Sequence, residues 1–206
     1  MNTKKIVSNT YDSICKQYFD EYLNDLNDEK FYLFFANLLN NKGLILDLGC
    51  GYGKVSKWFK EKGFKTIGYD ISKNMINLGL NFDKSLNLHL ADITKIPKQK
   101  VLADGAIYAY SLFHLNKKQA KKSLETLNTN LKNDGYVMLL LQKGQGERIV
   151  QEPFDPQKQM YVKFYDENEI LKLLEETEYK VIKITCQKIN EPNALSNEVI
   201  MVIAKK

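Results

Sequence analysis

The sequence predicts an α/β fold: an open, mostly parallel sheet with helices on both faces and a helical cap ahead of it. Three observations carry this expectation. Strands and helices alternate from Gly43 onward, the first strand runs straight into a glycine-rich turn, and the last two strands lie too close in sequence to be parallel neighbours. At 206 residues with 44% hydrophobic content, the chain suits one such domain, read as a cap over 1–41 and a core over 42–206.

The elements follow in order. Between about Asn9 and Asn41 there are two helical stripes. Tyr11, Ile14, Cys15, Tyr18, Phe19 and Tyr22 form the first; Phe31, Phe34, Phe35, Leu38 and Leu39 form the second, which closes on the Asn-Asn-Lys-Gly stop of Asn40 to Gly43. Residues 44–48 read as a buried strand, followed by glycines and a helix with Val55, Trp58 and Phe59 inward. Residues 65–69 are a second strand ending at Asp70, and Ser72 caps a helix carrying Met75, Ile76 and Leu78. Residues 86–90 alternate as a third strand, Pro97 breaks the loop after it, and 105–109 form the fourth. Asn116 and Gln119 make a capping box before Leu124, Leu127 and Leu131; residues 136–141 are the fifth strand; Asp166 and Glu169 make a second box before Ile170, Leu173 and Leu174. Residues 179–189 and 199–204 are the last strands, with only the turn-like segment from Asn190 to Asn197 between them. A parallel neighbour needs a crossover of about a dozen residues, so this pair is expected to be antiparallel.

Composition removes several function classes. No apolar run, 137–141 included, is long enough to span a bilayer, and the N-terminal residues lack the apolar stretch of a signal peptide. Cys15, Cys50 and Cys186 are far apart and form no ligand pattern, so no metal site is expected. Their odd number without an export signal suits reduced thiols in the cytoplasm. The 30 Lys+Arg exceed the 25 Asp+Glu by a formal +5, but the basic residues are scattered. The densest set, Lys54, Lys57, Lys60, Lys62 and Lys65, reads as a solvated surface rather than a nucleic-acid face.

The most informative segment is Asp47-Leu48-Gly49-Cys50-Gly51-Tyr52-Gly53, where the first strand meets a helix and open α/β sheets bind nucleotides. A nicotinamide-dinucleotide fingerprint would need glycine at 49, 51 and 54; Lys54 breaks it, and no Gly-Lys-Ser/Thr follows to make a P-loop. Asp70 ends the second strand, where a carboxylate accepts ribose hydroxyls, and Asp92 ends the third, where one would accept an adenine amino group. Three carboxylates thus stand at three consecutive strand ends.

Leu46-Asp-Leu-Gly-Cys-Gly-Tyr-Gly resembles motif I of the class I S-adenosylmethionine-dependent methyltransferases. Gly68-Tyr-Asp-Ile-Ser-Lys-Asn-Met is similar to their acidic second-strand motif, and the segment from Asp104 to Leu115 to their fourth-strand motif. The resemblance implies a Rossmann-like seven-stranded mixed sheet of order 3-2-1-4-5-7-6 with the last strand antiparallel. It implies S-adenosylmethionine as cofactor, with S-adenosylhomocysteine as product. By position it places Asp47, Gly49, Cys50, Gly51 and Gly53 around the methionine and ribose, and Asp70 on the ribose hydroxyls. Ile71, Met75, Asp92 and Ile93 fall around the adenine, and the backbone of Ala109 and Tyr110 at the methionine end. Tyr110 stands where many relatives carry a polar or acidic residue.

Methyl transfer from a sulfonium is an in-line displacement that depends on alignment. An oxygen or nitrogen acceptor also has a proton to lose, and His114, after the fourth strand, is the candidate base; capping or packing is its other reading. His89 reads as structural or exposed. Tyr11 and Tyr18 are candidates for the pocket wall, and the segment from Gln142 to Tyr165, with Phe154, Met160, Tyr161, Phe164 and Tyr165, for an apolar lid. No Asn/Asp-Pro-Pro-Tyr/Phe signature of nucleic-acid amino-methylating enzymes occurs, which favours a small-molecule acceptor without a nucleic-acid or membrane partner, on a monomer or homodimer. Two alternatives stand beside it: a non-catalytic adenosylmethionine-binding regulator, and an RNA or protein methyltransferase.

Overall fold

The computed structural model describes residues 2–39, 42–189 and 195–206. Two helices come first, α1 (Thr3–Tyr22) and α2 (Glu29–Leu38). The alternation then runs β1 (Leu44–Leu48), α3 (Lys54–Glu61), β2 (Lys65–Asp70), α4 (Lys73–Phe82), β3 (Leu88–Leu90) and β4 (Ala103–Ala109). A 3-10 turn at Leu112–His114 leads to α5 (Lys117–Asn128) and β5 (Leu131–Gln142). The chain continues through β6 (Glu147–Gln151), β7 (Gln159–Lys163), α6 (Glu167–Glu175), β8 (Lys180–Lys188) and β9 (Glu198–Lys205).

Seven strands form one sheet in the order β3-β2-β1-β4-β5-β9-β8. Pairing is parallel from β3 to β5, and β9 runs antiparallel to both β5 and β8. Counted within the sheet, this is the expected order 3-2-1-4-5-7-6. The stop at Asn40 and Asn41, and residues 190–194 of the expected turn, lie outside the described residues.

Successive side chains of a strand face opposite ways, and this sheet is buried on both sides. Leu46, Tyr108, Leu139 and Val202 face α5 and α6 through Leu124, Leu127, Ile170 and Leu174. The alternate residues Ile45, Ile107, Met138 and Ile203 face α2 and α3 through Phe35, Val55 and Phe59. The two N-terminal helices therefore differ. Phe35 of α2 is wholly buried, and a Cβ on Gly105 would stand only 3.0 Å from its ring, so that glycine lets the ring lie against β4. α1 instead crosses the cavity end of the sheet, tied by polar bonds.

Five local expectations change. Leu131, read with the helix after Asn116, opens β5 instead, because α5 ends at Asn128 and Leu131 pairs with Ala103 of β4. α1 begins at Thr3, well before Asn9, because the Asn2 side chain accepts the Lys5 N–H and opens the helix early. β3 starts at Leu88 rather than 86, because Leu86 N–H is spent on a turn to the Asp83 carbonyl. The Asn116–Gln119 capping box is complete, but at α6 only Asp166 caps, accepting from Glu169 N–H at 2.9 Å; the Glu169 carboxylate is drawn to Lys163 at 2.7 Å. The segment read as a loop from Gln142 to Tyr165 holds an antiparallel hairpin of β6 and β7.

Phe35→Ala should cost about 3–5 kcal/mol, the usual price of deleting a fully buried aromatic. Urea unfolding of the two proteins checks this, and a change below about 1 kcal/mol would mean that α2 lies outside the cooperative core.

Candidate functional site

The turn after β1 is left-handed at Gly49, Gly51 and Gly53, with φ of 79°, 54° and 84°. A Cβ on Gly49 would lie 2.2 Å from the Ser111 Cβ, so only glycine fits between β1 and the end of β4. Ser111 closes the contact by donating its hydroxyl to the Leu48 carbonyl. Gly49 and Cys50 donate their N–H groups to the Tyr69 carbonyl at 2.7 and 3.0 Å, fastening the turn to β2. Gly51 faces open space, whereas Gly53 packs against Leu86 and Leu88 at the start of α3, away from the cavity wall.

A cavity of about 220 Å³ opens over this turn. Asp47, Gly49, Cys50, Gly51, Asp70, Ile71, Met75, Asp92, Ile93, Ala109, Tyr110, Tyr11, Tyr18 and His114 all line it. The sequence-derived candidates thus come together, Gly53 excepted.

Each rim carboxylate has its own environment. Asp47 is 1% exposed; its Oδ2 accepts from Ser56 N–H at 3.0 Å and Ser56 Oγ at 2.7 Å, while Oδ1 has no partner. Burial pushes its carboxyl up to about 7 against the pull of those Ser56 bonds. Asp70 accepts Gly51 N–H and Ser72 N–H, each at 2.8 Å, and burial still raises it. Asp92 would also be raised by burial, but hydrogen bonds from Lys4 and Thr94 outweigh it and hold it below the usual range. Lys4 Nζ lies 2.6 Å from Asp92 Oδ2.

His114 is buried among aromatic rings and its two nitrogens are both engaged. Nδ1 lies 2.9 Å from the Tyr161 carbonyl, which can only accept, so Nδ1 carries the proton. Nε2 therefore accepts from the Tyr11 hydroxyl, 2.9 Å away. Burial lowers the imidazole to about 4, so it is neutral at pH 7. Burial raises the Tyr11 phenol strongly, and Asp70 and Glu152 raise it further. Tyr18 meets Tyr22, Tyr52 and Phe154 at ring-centre distances of 4.7, 6.3 and 6.0 Å. His89 is exposed and bonded to Asn87.

Several lining residues escape a sequence reading. Lys4, Asp25, Asp28, Tyr32, Lys54, Gln142 and Glu152 all face the cavity. Tyr110 is held at φ 56°, unusual for a tyrosine, with its hydroxyl donating to Asp28 Oδ1 at 3.0 Å. Among the described residues no group of three or more His, Cys, Asp or Glu is placed to hold a metal.

Comparison with known proteins decides the family. Residues 19–184 match the family described as methyltransferase domain. The chain belongs to the methyltransferase-domain family. An uncharacterized methyltransferase of Staphylococcus carnosus (strain TM300) is 24% identical over 170 residues, covering 78% of this domain's chain and 77% of its own. One of Alkaliphilus oremlandii (strain OhILAs) is 29% identical over 100 residues, spanning 48% of this chain and 45% of its own length. Among solved structures, magnesium protoporphyrin IX methyltransferase from Synechocystis PCC 6803 with bound S-adenosylhomocysteine superposes with a TM-score of 0.76, at 14% identity and 100% coverage of both chains. Burkholderia thailandensis 1,6-didemethyltoxoflavin-N1-methyltransferase, with 1,6-didemethyltoxoflavin and S-adenosylhomocysteine bound, gives 0.75 at 17% identity, covering 97% of this chain and 86% of that one. Both solved structures share this chain's fold.

The buried Asp47 makes a prediction about pH. Its folded pKa of about 7 lies above the unfolded value of 3.8, so the penalty for ionising it is absent below pH 4 and fully present above pH 7. Asp47→Asn should therefore gain stability over the ligand-free parent as pH rises from 4 to 7, by at most about 1.4 kcal/mol per pH unit. Melting curves across that range check it; a pH-independent difference would refute the raised carboxyl.

Proposed function

We propose that this methyltransferase domain binds S-adenosylmethionine along the carboxyl rim of its sheet and transfers the methyl group to a small molecule held between α1 and the β6–β7 hairpin. The observation that supports it most is Asp47, a cavity-lining residue buried with its Oδ1 unpartnered, a desolvated group whose cost a nearby cationic ligand would offset. Adenosylmethionine suits the rest of the rim too. Gly51 leaves room for a ligand against the backbone, and Asp70 and Asp92 line the same cavity, in keeping with the roles of accepting ribose hydroxyls and an adenine amino group.

When bound, the cofactor supplies an electrophilic methyl on a sulfonium. The chain's own residues orient and desolvate. Tyr11 gives its proton to His114, so its oxygen keeps only lone pairs for the cavity and can accept an N–H or O–H of the acceptor. His114 acts behind Tyr11 in this reading rather than touching the acceptor. Glu152, Phe154 and Met160 of the hairpin line the cavity together with Tyr18 and Tyr22 of α1. This enclosure favours a small acceptor, as do the neighbours that carry a toxoflavin precursor or are named for magnesium protoporphyrin. Among the described residues no helix is long and apolar enough to cross a membrane, and all three cysteines are free, in keeping with a cytoplasmic monomer or homodimer.

S-adenosylhomocysteine at a hundredfold excess over its dissociation constant should stabilise the protein by about 2.7 kcal/mol, and NAD should not. A thermal shift with NAD alone would remove the cofactor reading. A panel of hydroxyl, amine and thiol compounds, with RNA and peptide for comparison, should then release S-adenosylhomocysteine only with a small acceptor. No release from any of them would favour the binding-protein alternative, and release with RNA or peptide alone would replace the acceptor class.

With an acceptor in hand, Tyr11→Phe and His114→Gln should each lower turnover roughly 10²-fold, the low end for acid–base groups. Affinity for S-adenosylhomocysteine should stay within about threefold. Unchanged turnover in Tyr11→Phe would leave the pair a packing feature.

A further inference from the structure

One carboxylate on the cavity wall has no part in the cofactor rim. Glu152 follows β6, in the connection that leads to β7, and only 2% of it is exposed. Its Oε2 accepts Phe154 N–H at 2.7 Å and Asp155 N–H at 2.9 Å, so this oxygen shapes the turn. Its Oε1 accepts no hydrogen bond among the described residues, yet it is not sealed off as Asp47 Oδ1 is. Glu152 joins no ion pair among those residues either. The two lysines of the wall are already taken, Lys4 by Asp92 at 2.6 Å and Lys54 by Asp25 at 3.3 Å. Burial raises the Glu152 carboxyl in spite of its two backbone bonds. A half-used carboxylate in a desolvated wall is costly until a cation meets it.

Contacts join this group to the acceptor side of the cavity. The Phe154 ring, whose N–H is held by Glu152, meets Tyr18 and Tyr22 of α1 at ring-centre distances of 6.0 and 5.8 Å. Tyr18 in turn meets Tyr11 at 5.8 Å, and Tyr11 carries the oxygen that faces the acceptor in the proposed reaction. The β7 side of the hairpin is fastened to the same place. Thr10 Oγ1 donates to the Gln159 carbonyl at 2.7 Å, and His114 Nδ1 to the Tyr161 carbonyl at 2.9 Å. Carboxylates outnumber lysines on the wall by six to two, which suits a second positive charge beside a sulfonium. We propose that Glu152 Oε1 binds a positively charged nitrogen of the methyl acceptor, which makes the acceptor a small organic cation methylated at a different atom. A protonated nitrogen has no lone pair to attack the sulfonium methyl. The charged group therefore anchors the molecule, while a separate hydroxyl, thiol or unprotonated nitrogen stands at Tyr11. This assignment rests on the reading of the cavity as an adenosylmethionine site.

Twin compounds that share a nucleophile and differ in one charge test this: tyramine against 4-propylphenol, cysteamine against 1-propanethiol, and 4-aminobenzylamine against 4-ethylaniline. Each is titrated by calorimetry into the full chain loaded with S-adenosylhomocysteine, so binding is read whether or not methyl transfer follows. In at least one pair the cation should bind about tenfold to a hundredfold more tightly than its neutral twin, the range for a charged hydrogen bond. Glu152→Gln keeps an oxygen for the Phe154 and Asp155 N–H groups and should erase that preference. Its affinity for S-adenosylhomocysteine should stay within about twofold of the parent. No preference for the cation in any pair would overturn the assignment, and this comparison on the parent stands whether or not the variant folds. A preference that survives in Glu152→Gln would overturn it too. If Glu152→Gln weakens S-adenosylmethionine more than S-adenosylhomocysteine, the carboxylate serves the sulfonium and the assignment falls. A parent protein that does not bind S-adenosylhomocysteine would instead overturn the cofactor reading, a result visible before any twin is added.

Discussion

The site depends on one close approach, that of the Gly49 backbone to Ser111. Strands β1 and β4 are neighbours, and their carboxyl ends meet where a side chain on residue 49 would collide with the Ser111 Cβ at 2.2 Å. With glycine there, the chain turns left-handed and returns its next N–H groups to β2 at the Tyr69 carbonyl and the Asp70 carboxylate. That turn does two things at once. It exposes the backbone at Gly51 to the cavity, and it buries Asp47 beneath the turn with one oxygen unpaired. The strain of a desolvated carboxylate is thus a direct consequence of the geometry that makes room for a ligand.

The two N-terminal helices show how differently a cap can be attached. α2 is held by apolar burial, with Tyr32, Phe35 and Ala36 inside the core. α1 is held largely by polar bonds at helical spacing. Lys4 pairs with Asp92, Ser8 donates to the Ile71 carbonyl, and Asp12 accepts from Ser72 Oγ and Asn74 N–H at the start of α4. These residues lie four apart, so one face of α1 is fastened over β2, β3 and α4. Its neighbouring face presents Val7, Tyr11 and Tyr18 to the cavity. The apolar stripe in the sequence is therefore a cavity wall in part, and the polar residues beside it are its anchors.

The sheet was legible because strands buried on both faces need near-continuous apolar runs. Residues 44–48 and 136–141 show this, and so do the glycines and strand-end aspartates that interrupt such runs at fixed places. The β6–β7 hairpin was not legible. β6 reads Glu-Arg-Ile-Val-Gln with no residue fully buried, so no period of two stands out, and Pro153 and Pro156 mark the connection as loop. The strand-end aspartates were legible, but the lysines of the site and Asp25 were hidden for another reason. Lys4 and Asp92 are 88 residues apart, and Asp25 and Lys54 are 29 apart, so neither pair leaves a local pattern. A lysine in a basic stretch reads as solvated surface until the fold puts a carboxylate beside it.

Lys54 joins these threads. Its position is where a dinucleotide-binding turn would place its third glycine, which lets helix and strand pack closely. Here Gly53 takes over that packing role against Leu86 and Leu88, one residue earlier, and frees position 54 to carry a long side chain. As the first residue of α3, Lys54 places a cation at a helix N-terminus, where the peptide dipoles disfavour it by a few tenths of a kcal/mol or more. Asp25 and the cavity's carboxylates offset that cost. The same residue that excludes a pyrophosphate-binding turn from the sequence thus puts a positive charge at the edge of a cavity rich in carboxylates.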